Sequence, residues 1–151
     1  MTQEQEVQHW KNMVRLYKFD NLTGLKQRHD FEIETMHKMA NQVFWLVMVD
    51  VNGLHVINRD VGFQAGDALI KQVGYDLQQA DGAWEVYRIG GDEFMALFFY
   101  EPIDLNIDNS TSSYVYSGDF NHFTDMFNEV DRMVIKEKNK LKRRKEDERD
   151  R

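Results

Sequence analysis

The chain has 151 residues, 42% of them hydrophobic and none of them cysteine, so it is long enough to bury a core without disulfides and amounts to one domain. With 30% of residues charged there is no apolar run long enough for a membrane span, and MTQEQEVQHW lacks the basic start and apolar stretch of an export signal, so a cytoplasmic protein is expected. The net charge of −7 is uneven: residues 136–151 carry nine basic and five acidic side chains (+4), leaving −11 for residues 1–135, which excludes broad contact with a nucleic-acid backbone and suits hard divalent cations.

In chain order, EQEVQHWKNMVRLYK (residues 4–18) places Val7, Trp10, Val14 and Tyr17 on one helical stripe. The stripe fits either a short dimerising stub or a helix lying on the core. The turn and cap chemistry of FDNLTGLKQR precedes a second helix that runs to about Ala40. VFWLVMVDV, Val43 to Val51, is rich in β-branched and aromatic residues and reads as a central strand buried on both faces. From Gly53 to Ala80 the spacing is helical, and Gly62 and Gly66 are expected to divide it into a short helix, a loop and a longer helix from Asp67. Trp84–Ile89 and Phe94–Tyr100 read as strands joined by the turn GGDE.

Residues 101–112 are polar, hold the only proline and read as a loop before a short strand at Ser113–Tyr116. A final amphipathic helix starts near Phe120, and beyond Leu141 its apolar face gives way to a solvated or frayed charged end. Residues 1–18 are thus expected as an N-terminal helix, 19–142 as the domain and 143–151 as a tail. The fold class is α+β, a mainly antiparallel central sheet flanked by helices.

The turn GGDE carries the chemistry. Tandem glycines permit positive φ and let a ligand approach the backbone, whereas adjacent carboxylates repel unless solvent or a cation lies beside them. Asp50 closes the most apolar strand, where packing has no use for a charge. An antiparallel neighbour ending in a hairpin can bring Asp92 next to it, and paired aspartates on adjacent strand ends suit Mg²⁺ in phosphoryl transfer.

RIGGDEF, Arg88 to Phe94, resembles the signature of GGDEF domains, the diguanylate cyclases. DNLTGLKQR (Asp20 to Arg28), DVNGLHVINRDVGFQAGD (Asp50 to Asp67) and, more weakly, EVDRMVIKEK (Glu129 to Lys138) are similar to further family motifs in the family's order. The resemblance implies a palm-like nucleotide-cyclase fold and a transient homodimer that condenses two GTP into cyclic di-GMP and two pyrophosphates with Mg²⁺ or Mn²⁺. It implies metal ligation by Asp50, Asp92, Glu93 and the Val51 carbonyl, with Glu93 also assisting deprotonation of the attacking hydroxyl. Gly90 and Gly91 would leave room for the α-phosphate, Asn58 and Asp67 would read guanine, and Lys138 and Lys142 would meet the outer phosphates.

Departures from the family pattern accompany these matches. His55 stands where the family commonly has lysine, so a phosphate contact there would be weaker or pH-dependent. Asp81–Trp84 has neither the Arg nor the Asp of the product-inhibition motif, so feedback is expected to be absent. The stretch between Tyr100 and Ser113 is too short and polar for the helix that many members carry, and the expected topology puts this shortening on the side away from the motifs. A GTP-binding module without turnover and a cyclase that makes another dinucleotide are the alternatives.

Overall fold

The computed structural model describes all 151 residues. Helix α1 (Gln3–Lys18) opens on a capping box: the Gln5 N–H donates to Thr2 Oγ1 (3.1 Å) and the Thr2 N–H to Gln5 Oε1 (2.8 Å). None of its residues is buried, and Val7, Trp10, Val14 and Tyr17 all face solvent. The stripe therefore does not lie on the core. Helix α2 (Arg28–Asn41), strand β1 (Trp45–Val51), helices α3 (Leu54–Asp60) and α4 (Phe63–Gln79), strands β2 (Ala83–Arg88), β3 (Glu93–Phe98) and β4 (Ser110–Tyr116), a 3₁₀ turn (Ser117–Asp119) and helix α5 (Phe123–Arg149) follow.

The four strands lie in the order β2-β3-β1-β4, every neighbouring pair antiparallel. Strand β1 is central, and its alternating side chains fill two cores. Leu46 and Met48 join Tyr87, Met95 and Leu97 under α2 and α5, where Phe31, Met126, Val130 and Val134 meet them. Val47, Val49 and Val51 join Phe94, Ala96 and Phe98 under α4, where Ile70, Val73 and Leu77 meet them. Spacings of four along α5 and of three and four along α4 put these residues on one face of each helix. Gly74 lets α4 settle on the sheet, since a Cβ there would lie 3.0 Å from the Phe94 ring.

Three local expectations are corrected, and of the solvated or frayed end the structure shows the solvated form. α4 begins at Phe63, so Gly66 is a buried residue inside the helix and Asp67 lies beyond its first turn. β4 begins at Ser110, because pairing with β1 supplies a ladder that its Ser and Thr residues do not advertise. The tail continues α5 to Arg149 as an exposed helix, consistent with its strong helix formers and mixed charges. The shortened segment does not stay on the far side: β3 and β4 are mutually parallel, and residues 99–109 cross over β1 between them without a helix. Leu105 and Ile107 drop onto the α4 core, and the crossover ends beside Asp50, where the Asn52 N–H donates to the Asn109 carbonyl (2.8 Å).

Phe31 is fully buried, with ring centroids 5.3 Å from Tyr87 and 5.6 Å from Phe123. Phe31→Ala is expected to cost about 3–5 kcal/mol in urea unfolding, whereas Trp10→Ala should stay within about 0.5 kcal/mol of the parent at monomer concentrations.

Candidate functional site

The signature turn is closed by the Ile89 N–H donating to the Glu93 carbonyl (3.0 Å), so residues 89–92 form the turn and Glu93 already belongs to β3. Arg88 fixes its shape from below. Its guanidinium donates to both carboxylate oxygens of Asp20 (3.0 Å each), to the Gly90 carbonyl (3.2 Å) and to the Gly91 carbonyl (2.8 Å). Asp20 is itself oriented by the Thr23 hydroxyl (2.7 Å) and N–H (2.8 Å). Burial would push the Asp20 carboxyl up, but the Thr23 hydrogen bonds and Arg88 outweigh it and hold it below the usual range.

Neither Gly90 nor Gly91 has positive φ, which corrects that part of the expectation. What the glycines provide is an unobstructed surface. A Cβ on Gly91 would meet nothing within 4 Å, and the nearest atoms to one on Gly90 would be those of Glu93, at an ordinary contact distance of 3.6 Å.

On the open side of the turn the register sets Asp50 opposite Glu93, and the Val51 N–H donates to the Asp92 carbonyl (2.8 Å). One carboxylate oxygen from each of Asp50, Asp92 and Glu93 lies within 4.8 Å of the others. Burial first, then the charges of Asp50, Asp92 and Asp131, push the Glu93 carboxyl up, with Arg28 opposing. Burial also pushes Asp50 up, against a hydrogen bond from the Lys138 ammonium and with the Asp92 charge adding to the rise. Three hard oxygen donors, of which Asp50 and Glu93 resist ionisation, form a set that a divalent cation fits.

The other expected residues lie on α3, α4 and α5. Lys138 reaches Asp50 from α5, one turn beyond the buried Val134, and Lys142 is exposed one turn further on. His55 and Asp67 are exposed on α3 and α4. Asn58, on α3, has a buried Oδ1 with no hydrogen-bond partner, and a Cβ on Gly66 would collide with that atom. Gly66 is thus the space into which the Asn58 side chain folds. Sequence reasoning missed the roles of Arg88 and Asp131. The only available sign of the first was an arginine beside a glycine pair facing an Asp-x-x-Thr turn; the second had none, since its place on α5 shows only once the helix is docked.

Glu93 titrates above its unfolded value. Its contribution therefore favours folding below about pH 4.3 and is lost as pH rises through the raised folded value. In chelator-treated protein, Glu93→Gln is expected to raise the melting temperature near neutrality and leave it unchanged near pH 4. A lower melting temperature at neutrality would show attraction, not repulsion, at this carboxylate.

A family model described as diguanylate cyclase, GGDEF domain, matches residues 17–100. Uncharacterized membrane proteins of Staphylococcus aureus (strain USA300) and Staphylococcus epidermidis are each 27% identical over 112 residues. That match takes in 68% of this chain but 32% of the relatives, so the chain spans about a third of their length. No helix here is long and apolar enough to cross a membrane. Among solved structures, the coiled coil and GGDEF domain of DgcB from Caulobacter crescentus in complex with c-di-GMP superposes with a TM-score of 0.74 at 19% identity, covering 90% of this chain and 88% of that one. The Vibrio cholerae LapD S helix-GGDEF-EAL protein bound to c-di-GMP gives 0.73 at 12% identity, covering 93% and 39%. The diguanylate cyclase SiaD of Pseudomonas aeruginosa, in complex with its activator SiaC, gives 0.69 at 15%, covering 91% and 65%. At such identities the likeness is one of fold, and it agrees with the helix-flanked antiparallel sheet and with the turn at residues 89–92. With more than half of its length matched by the family model, the chain belongs to the GGDEF family.

Proposed function

We propose that this domain is a diguanylate cyclase, condensing two GTP into cyclic di-GMP with release of two pyrophosphates at the interface of a transient homodimer. The observation that carries the reading is the convergence of Asp50, Asp92 and Glu93 on the open side of the signature turn. Asp50, Asp92, Glu93 and the Val51 carbonyl would hold Mg²⁺ or Mn²⁺, which would neutralise phosphate charge and ease ionisation of the attacking hydroxyl. Glu93, whose proton affinity is already raised, is suited to take the proton of the 3′-hydroxyl as its oxygen bonds to the α-phosphorus and pyrophosphate departs. Gly90 and Gly91 keep side chains out of the phosphate's path.

Asp67 accepts from guanine N1–H and N2–H₂, a donor pair that adenine lacks, and the unpartnered Asn58 Oδ1 gains a donor from the base. Lys138 and Lys142, on successive turns of α5, meet the outer phosphates, and His55 adds a pH-dependent contact. GTP and magnesium are cytosolic, so the domain works in the cytoplasm. The stripe on α1 assists dimerisation, and neither nucleic acid nor membrane is a partner of residues 19–142.

The crossover without a helix favours one second reading, a GTP-binding module without turnover. Incubation with GTP and Mg²⁺ or Mn²⁺, resolved by chromatography and mass, separates the two. Cyclic di-GMP from the parent, and a loss of at least about 100-fold in Asp92→Ala with its melting curve preserved, is the expected result. GTP binding without product overturns the cyclase. A mixed GTP and ATP incubation that yields another dinucleotide reassigns the product.

Gly66→Ala tests the base pocket separately. Helix propensity alone would favour alanine by about 1 kcal/mol, yet its methyl displaces Asn58. A KM for GTP raised roughly tenfold in a folded protein is expected, and an unchanged KM removes Asn58 from base recognition.

A further inference from the structure

The two faces of the sheet are covered unequally. α2 and α5 cover one face, whereas α4 and the irregular crossover cover the other and leave a cavity of about 480 Å³ between them. Its floor offers the partly exposed Ala80 and Leu105, with Phe98 and Ile107 buried beneath them. The exposed Tyr100 and Ile103 form the outer wall. That wall is held in place. Phe99 stacks on Trp84 with centroids 4.8 Å apart, and Gly82, with φ of 84°, brings its backbone so close to the Tyr100 ring that a Cβ would lie 2.7 Å from it.

The rim carries Asp76, Asp81, Glu101 and Asp104, and no lysine, arginine or histidine lines the cavity. None of these four carboxylates belongs to any of the molecule's ion pairs. Hydrogen bonds to this rim come from neutral donors: Gln72 Nε2 to Asp76 (2.7 Å) and the Tyr114 hydroxyl to Glu101 (3.2 Å). The volume is that of a small-molecule site, roughly 300–1,000 Å³, with an apolar interior and a few polar groups at its edge. Its charge selects the ligand: four unpaired carboxylates repel any phosphate and attract a cation, and the Tyr100 ring offers a cation a further favourable face.

We propose that this cavity binds a small organic cation with an apolar body, of the arylalkylammonium class: the body sits on Ala80, Ile103 and Leu105, and the ammonium among Asp81, Glu101 and Asp104. The site lies at the far end of β3 from Glu93 and does not depend on the nucleotide chemistry. Asp81, the first residue of the stretch that corresponds to the family's product-inhibition motif, lines it, so the charge offered there is the reverse of what an anionic dinucleotide requires.

Three indoles with the same body and different heads test the assignment by titration into the ¹⁵N-labelled full chain: tryptamine (cationic), tryptophol (neutral) and indole-3-propionate (anionic). Tryptamine is expected to give saturable amide shifts confined to residues 76–83 and 98–107, with affinity roughly tenfold above that of tryptophol, and the propionate none. The Glu101→Gln/Asp104→Asn variant, altered only at exposed positions and checked for an intact spectrum, should bring tryptamine down to the affinity of tryptophol and leave tryptophol unchanged. Equal binding of tryptamine and tryptophol, shifts outside the cavity or no saturable shift from any of the three overturns the proposal.

Discussion

The working end of this domain depends on one guanidinium. Arg88, 68 residues after Asp20, ties that residue's carboxylate, at the head of the domain, to the two glycine carbonyls of the signature turn. A turn built from two glycines has little intrinsic preference for one conformation, and its flexibility is costly to restrain. Donors fixed in a planar fork satisfy both carbonyls and leave the peptide planes one arrangement. Asp92 and Glu93 inherit their positions from it, and β1 pairing then sets Asp50 beside them.

The two sides of the turn hold charge in opposite ways. Below it, Asp20 is more stable ionised in the folded protein, so its contribution is full above its unfolded value and is lost as pH falls through its lowered folded value. Above it, Asp50 and Glu93 resist ionisation, Lys138 hydrogen-bonds to Asp50, and Arg28 acts on Glu93 through its charge. Attraction beneath the turn stabilises a surface on which repulsion accumulates. Such an arrangement gives up some folding stability at a set of carboxylates that a divalent cation fits.

The sheet and most of its helices were legible because their apolar periodicity is strong: β1 reads as a doubly buried strand, and α4 and α5 carry clear stripes. The pairing of Asp50 with the turn followed from an unexplained charge at the end of that strand. The start of β4 was not legible, because Ser110 to Ser113 have no apolar alternation and become strand only through β1. The start of α4 was missed because Gly66 looks like a breaker, whereas the close approach of Asn58 requires a residue without a side chain. The free stripe of α1 could not be told from a buried one, since periodicity reports amphipathicity but not what covers it. Arg88 was hidden for a related reason: its partners are backbone carbonyls and a residue far away in sequence.

The place of β1 in the sheet has a consequence for how the chain acquires its structure. Both neighbours of β1 come from residues 93–116, more than forty positions after it leaves the ribosome. Until they arrive, seven residues that are mostly apolar on both faces have unpaired backbone edges, the pattern that self-associates as cross-β. α2 and α4 can shelter its faces but not its edges. Closure waits for two long-range pairings whose loop entropy comes before their reward, so collapse of this domain is governed by non-local contacts and its newly made form is most vulnerable to aggregation while β3 is still being synthesised.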